Sequence, residues 1–199
     1  MVKLNQIEKI KEDLKNTLSE YRYEHSILVA QEAKKLACHY NVDEKKAYIS
    51  GLVHDIAKEF SDEENVLWIK KYDLNNELLL PKYKKIIHAD IGSVVVKEKY
   101  NLDEEICNAV LYHTTGSVNM TLLDKIVFVS DKISRKTKNK AIDEITQLAY
   151  ENIDKALITL LIIQKNKLES DKKSMHPNSI KLLQNLMQKD KNIYKDNIP

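Results

Sequence analysis

Apolar residues recur at spacings of three and four almost from one end of the chain to the other, the period of a helix that buries one face. Leu4, Ile7, Ile10, Leu14 and Leu18 form one such stripe, and Val29, Ala33, Leu36, Ala37 and Tyr40 form a second. Turn formers are scarce: 3 Gly and 3 Pro in 199 residues argue against a many-hairpinned sandwich or barrel. The spacing predicts an all-α fold, a single compact helical domain over 1–199. Its core is expected at about residues 20–135, with C-terminal helices at 141–190 packed on it. A chain of this length can bury a real core.

Local signals place the helices. Asp43 is a cap for a helix over 44–59 that turns Ala47, Leu52, Val53, Ile56 and Ala57 inward. Ser61 and Glu64 have the spacing of a capping box for a helix through Trp68. Pro81 interrupts the pattern before a segment at 83–88 and a helix near 91–100. Asp103 is expected to cap a helix reaching His113, and Gly116 breaks the chain. Thr121 then caps a very apolar helix over 122–133. Residues 142–168 read as one long amphipathic helix, followed by a polar link and a last short helix after Pro177.

Charge and cysteine usage exclude several classes. The 32 basic and 30 acidic residues leave a formal +2, without the one-signed field of a generic nucleic-acid binder. The basic clusters at 135–140 (RKTKNK) and Lys172-Lys173 could face phosphates, with solvated loops as the ordinary reading. Cys38 and Cys107 form no CxxC pair, which points to a reducing compartment. The longest apolar run, at 157–163, falls far short of the ~20 residues of a membrane span. The first residues alternate charges where a signal peptide would be apolar. The expectation is a cytoplasmic protein with neither nucleic-acid nor membrane partners.

Six histidines carry the chemistry: His25, His39, His54, His88, His113 and His176. No HExxH, GxSxG, Walker or GxGxxG pattern accompanies them. His54-Asp55 alone means little, because chance gives about 0.4 such pairs in a chain with this many His and Asp. Placed on a helix, the two side chains point about 100° apart and reach one ion only over the groove between them. Lys58 emerges on the same side and suits an anion bound there.

His25 lies on the stripe of Val29 and Ala33, and His113 on that of Ile106, Ala109 and Val110. Asp131 sits inward near the end of the apolar helix at 122–133, where an unpaired carboxylate costs several kcal/mol. Each has an ordinary alternative. A lone inward histidine is more often a hydrogen-bonded core residue, and Asp131 could pair with Lys125 or Lys132. His39 ends its helix, where the C-terminal dipole accounts for it. His88, before Ala89-Asp90, fits a helix start or a phosphate contact. The combination on separate helices, rather than any single residue, favours a site.

The order His25, His54-Asp55, His88, His113, Asp131, with Arg22 three residues before the first histidine, resembles the HD-domain metal-dependent phosphohydrolase superfamily. Arg22-Tyr23-Glu24-His25, GLVHDIAK at 51–58, His113-Thr114-Thr115-Gly116, Ser130-Asp131-Lys132-Ile133 and His176-Pro177 are similar to its YqeK-type symmetrical bis(5′-nucleosyl)-tetraphosphatase family. The resemblance implies symmetrical cleavage of diadenosine tetraphosphate to two ADP by metal-activated water. It implies metal ligation by His25, His54, Asp55 and Asp131, with Asp55, His88 and His113 in catalysis. Substrate contacts are implied for Arg22, Lys58, His88, His113, Thr114, Arg135 and His176. Nitrogen and oxygen ligands without thiolate suit iron, manganese or a similar ion and do not by themselves choose among them; iron is the expected metal, and one ion is expected. A second ion at His88 and His113 is left open.

Three departures stand out. Ala89 follows His88 where the family has Gly, and Ser130 precedes Asp131 where it has Ala. The family's arginine six residues past the last aspartate is Thr137 here, with Arg135 the nearest arginine. Thr114 replaces the second of two adjacent histidines found in cyclic-di-GMP phosphodiesterases, against that activity. The implied partner is a small nucleotide, and the reading is compatible with a homodimer. Two rivals stand beside it: an HD-domain hydrolase of a nucleoside monophosphate or guanosine alarmone, and a non-catalytic helical binding module.

Overall fold

The computed structural model describes residues 4–134 and 139–196. Among them are ten α-helices and no strand. They are α1 (Leu4–Thr17), α2 (Glu20–His39), α3 (Glu44–Val53), α4 (Asp62–Lys71), α5 (Ile87–Tyr100), α6 (Glu104–Tyr112), α7 (Leu122–Ile133), α8 (Lys140–Glu151), α9 (Ile153–Ser170) and α10 (Pro177–Asp196). Two short 3₁₀ turns, Asn76–Leu79 and Pro81–Tyr83, lie between α4 and α5.

The anticipated caps form at three starts. Asp43 accepts from the amides of Lys45 and Lys46, and Ser61 with Glu64 and Thr121 with Asp124 close reciprocal capping boxes. Asp103 makes no side-chain cap bond; its carboxylate faces Lys46 at 3.4 Å instead.

Three further expectations fail. The last helix is not short, since α10 runs over 20 residues from Pro177. α3 stops at Val53, so residues 54–59 form successive turns rather than two more helical turns. Bonds from the amides of Ile56, Lys58 and Phe60 to the carbonyls three residues back tighten this stretch. The long helix expected over 142–168 is two helices. Asn152 is extended at φ −159° and caps α9 by accepting from the amides of Asp154 and Lys155. An Asn at that position competes well as a cap, and the apolar stripe continues across the break, which hides it from periodicity.

α2, α3, α6 and α7 pack on one another at the centre. On one side, Ile10, Leu14, Leu52, Ile91, Val96 and Ile106 form an apolar cluster that joins α1, α3, α5 and α6. On the other, Leu36, Phe128, Leu157, Leu161 and Leu182 join α2, α7, α9 and α10. α2 and α3 approach closely at Gly51, where an added Cβ would lie 2.8 Å from the Ala30 Cα. Any side chain there would wedge the two helices apart.

Candidate metal centre

Five segments of this frame aim polar side chains at one point. His25 comes from α2, His54 and Asp55 from the turns after α3, His88 from the first turn of α5, His113 from the end of α6 and Asp131 from the last turn of α7. From the tightened 54–59 stretch the two consecutive residues share one target. His54 Nε2 lies 3.4 Å from Asp55 Oδ2 and 3.5 Å from Asp131 Oδ1. His25 Nε2 is 3.0 Å from Asp131 Oδ1. His88 Nε2 and His113 Nε2 approach Asp55 Oδ1 at 3.2 and 3.5 Å and each other at 3.1 Å. Potential ligand atoms of His25, His54 and Asp55 lie within 4.8 Å of one another, as do those of His54, His113 and Asp131 and those of Asp55, His88 and His113.

Backbone carbonyls fix the proton positions. His54 Nδ1 is 2.7 Å from the Gly51 oxygen and His113 Nδ1 is 2.6 Å from the Val110 oxygen. A carbonyl only accepts, so both Nδ1 atoms carry the hydrogen and both Nε2 lone pairs face inward. Buried His54 Nε2 has no hydrogen-bond partner. A lone pair facing two carboxylates in a dry site calls for a cation between them. Burial opposes charging His54, yet Asp55 and Asp131 outweigh it and push the imidazole up to about 10. A bound metal ion meets the same demand as that proton, so the residues present fit a metal.

The surrounding electrostatics agree. Burial would raise both carboxyls, but His54, His113 and His88 hold Asp55 far below the usual carboxylate range. Lys132, His25 and His54 do the same for Asp131. Burial takes His88 down to about 3 despite its contact with Asp55, helped by the neighbouring His113 and Lys58, and it lowers His113 as well. Both imidazoles are therefore neutral at neutral pH.

The centre opens on one side. The side chains of His54, Asp55, His88 and His113 are at most 4% exposed, whereas His25 and Asp131 are each 14% exposed. Around that opening stand Arg22, Lys58 and Lys132, at 23, 30 and 29%. Arg22 Nη1 donates to Asp55 Oδ2 at 2.6 Å, and Lys132 Nζ donates to Asp131 Oδ2 at 2.6 Å. Lys58 Nζ lies 3.9 Å from Asp55 Oδ1 and 3.1 Å from His88 Nε2. Arg22 Nε is buried with no hydrogen-bond partner.

An HD-domain family model matches residues 22–136. The symmetrical bis(5′-nucleosyl)-tetraphosphatase of Staphylococcus aureus is 34% identical over 170 residues, covering 80% of this chain and 87% of that one. The enzyme of the same description from Bacillus subtilis is 35% identical over 146 residues, 73% of this chain and 78% of its own. The chain belongs to the HD-domain family, among the symmetrical bis(5′-nucleosyl)-tetraphosphatases. A solved structure from Clostridium acetobutylicum, described as a predicted HD superfamily hydrolase involved in NAD metabolism, superposes with a TM-score of 0.85. It is 33% identical, covering 92% of this chain and 97% of that one.

In this HD domain the remaining residues singled out from sequence lie at different places. Thr114, next to His113, has a buried hydroxyl without a partner. His176 stands with its ring edge-on to Tyr83 at 5.7 Å between centroids, and its Nδ1 accepts from the Asn178 amide at 3.2 Å. Arg135 lies outside the described residues.

Two supporting contacts were not foreseen. The Ser19 amide and hydroxyl both donate to Glu59 at 2.6 Å, tying the 54–59 turns to the start of α2. The Ser179 hydroxyl of α10 donates to the Thr115 carbonyl at 2.7 Å, and an added Cβ on Gly116, at φ +67°, would overlap a methyl of Leu182. The C-terminal helix thus holds the loop that follows His113. Such pairings join residues 40 and 64 positions apart, which no local pattern encodes.

Proposed function

We propose that the chain hydrolyses dinucleoside polyphosphates, cleaving diadenosine tetraphosphate symmetrically into two ADP. The observation that carries this reading is a buried His/Asp centre whose two carboxylates are approached by the partly exposed cations Arg22, Lys58 and Lys132. His25, His54, Asp55 and Asp131 would hold the first ion. His88 and His113, next to the same Asp55, would hold a second or position the neighbouring phosphate. Iron is the proposed metal, one of several transition metals that an imidazole and carboxylate set without thiolate can hold. Bound there, a metal supplies Lewis acidity toward a phosphoryl oxygen and lowers the pKa of water.

The chain's own residues bind and neutralise the substrate. Phosphoryl transfer spreads negative charge over the equatorial oxygens, so fixed cations at the mouth stabilise the transition state more than they do free substrate. Arg22, Lys58 and Lys132 occupy that position. Thr114 offers its unpartnered hydroxyl beside His113. With Nδ1 accepting from Asn178, neutral His176 carries its hydrogen on Nε2, a donor suited to a nucleotide oxygen. Because burial keeps His88 and His113 neutral, they are better lone-pair donors than proton donors. The departing ADP needs no strong acid, since a terminal phosphate has a second pKa of about 6. Neither Cys38 nor Cys107 is in a disulfide, in keeping with action in the cytoplasm.

Incubation of metal-loaded protein with diadenosine tetraphosphate, followed by ion-exchange separation of products, tests the reading. Two ADP as the sole products are expected. AMP with ATP, or turnover confined to mononucleotides, contradicts it.

A further inference from the structure

Tyr21 is 65% exposed and belongs to neither apolar cluster. Tyr40, Tyr72, Tyr100 and Tyr150 by contrast bind elsewhere in the chain through their hydroxyls. Tyr21 precedes His25 by four residues on α2, so its ring sits one turn above that side chain on the same helix face, on the flank where the centre opens. The Arg22 guanidinium lies 5.8 Å from the ring centroid and also reaches 2.6 Å from Asp55 Oδ2. Those two contacts through one guanidinium place the ring no more than about 10 Å from Asp55.

An exposed ring tied through Arg22 to the cationic mouth offers a face on which a flat group can stack. We infer that Tyr21 is a nucleobase-stacking platform, holding one base of the substrate while Arg22, Lys58 and Lys132 hold its phosphates. This rests on the proposal that the substrate is a nucleotide. Every base has a π-face, so the ring would add affinity for bases generally, with purines held better than pyrimidines because they overlap it more. Arg22 over the ring adds a cation–π contact that orients the platform and links base recognition to the centre.

The test compares wild type with Tyr21→Ala, Tyr21→Phe and Tyr21→Trp, all metal-loaded. Calorimetry measures binding of ADP and of inorganic pyrophosphate, and steady-state assays follow diadenosine tetraphosphate. Tyr21→Ala is expected to weaken ADP about tenfold, leave pyrophosphate unchanged and raise KM more than it lowers kcat. Phe and Trp should keep ADP affinity, and an unchanged thermal midpoint would show that each variant folds. Unchanged ADP binding in the Ala variant overturns the inference. So does an equal loss for pyrophosphate, which would mean the ring acts only through Arg22. If wild type binds ADP through Tyr21 yet leaves the dinucleotide intact, the stacking inference stands and the proposed reaction fails.

Discussion

Replacing Gly51 with Ala separates two opposed effects whose sizes the structure fixes. At an open position inside a helix, this change gains about 1 kcal/mol from helix propensity. Gly51 is not open: the new Cβ would meet the Ala30 Cα at 2.8 Å, the Ala30 nitrogen at 2.9 Å and the Val29 carbonyl carbon at 3.0 Å. Non-bonded carbons settle at about 3.5–4.0 Å, so α2 and α3 must part by about 0.7 Å. The obstacles are backbone atoms that cannot rotate aside, which puts the overpacking near the upper end of its usual range, about 3 kcal/mol. Net destabilisation of about 2 kcal/mol is expected in urea unfolding with chelator present, at unchanged m-value. The same displacement moves His25 on α2 away from His54, whose Nδ1 is anchored to the Gly51 carbonyl, so metal affinity should fall about tenfold or more. A variant more stable than wild type, with metal affinity intact, would refute the close-approach argument.

Three further outcomes follow from particular contacts. Lys58→Ala should raise KM for tetraphosphate substrates more than it lowers metal content by elemental analysis; the reverse order would mean the amine supports the centre instead of the substrate. Asn152→Ala removes the acceptor for two amides of α9 and should cost about 1 kcal/mol in thermal unfolding, with Asn152→Asp close to wild type. Exposed Cys38 should react quickly with a disulfide reagent, while Cys107, buried and with its thiol pushed up by burial, should react only on unfolding. Two fast thiols would show that the α5–α6 core opens readily.

Much of this architecture is legible in the chain because helical period and capping act locally. The stripe of Ile10 and Leu14 is fully buried, and the α7 boundaries follow from Thr121 and the apolar run behind it. The same stripes turn His25, His113 and Asp131 inward, but spacing alone left each with an ordinary core role, and their convergence on one point was implied by the family resemblance. What stayed hidden depends on contacts distant in sequence. Residues 54–59 have strong helical patterning, yet they form tight turns, and the contacts of His54 and Asp55 there are with residues on α2, α5, α6 and α7. The break at Asn152 is masked by apolar positions that continue through it. Support from Glu59 and Ser179 is visible only once the helices are assembled.

Metal content tests the central claim most directly. Protein purified without chelator should carry about one or two transition-metal ions per chain, and stripping them should lower the thermal midpoint and abolish hydrolysis. Asp55→Ala should lose both metal and activity while keeping its helical circular dichroism. Metal-free protein that turns over diadenosine tetraphosphate at the full rate would contradict the account.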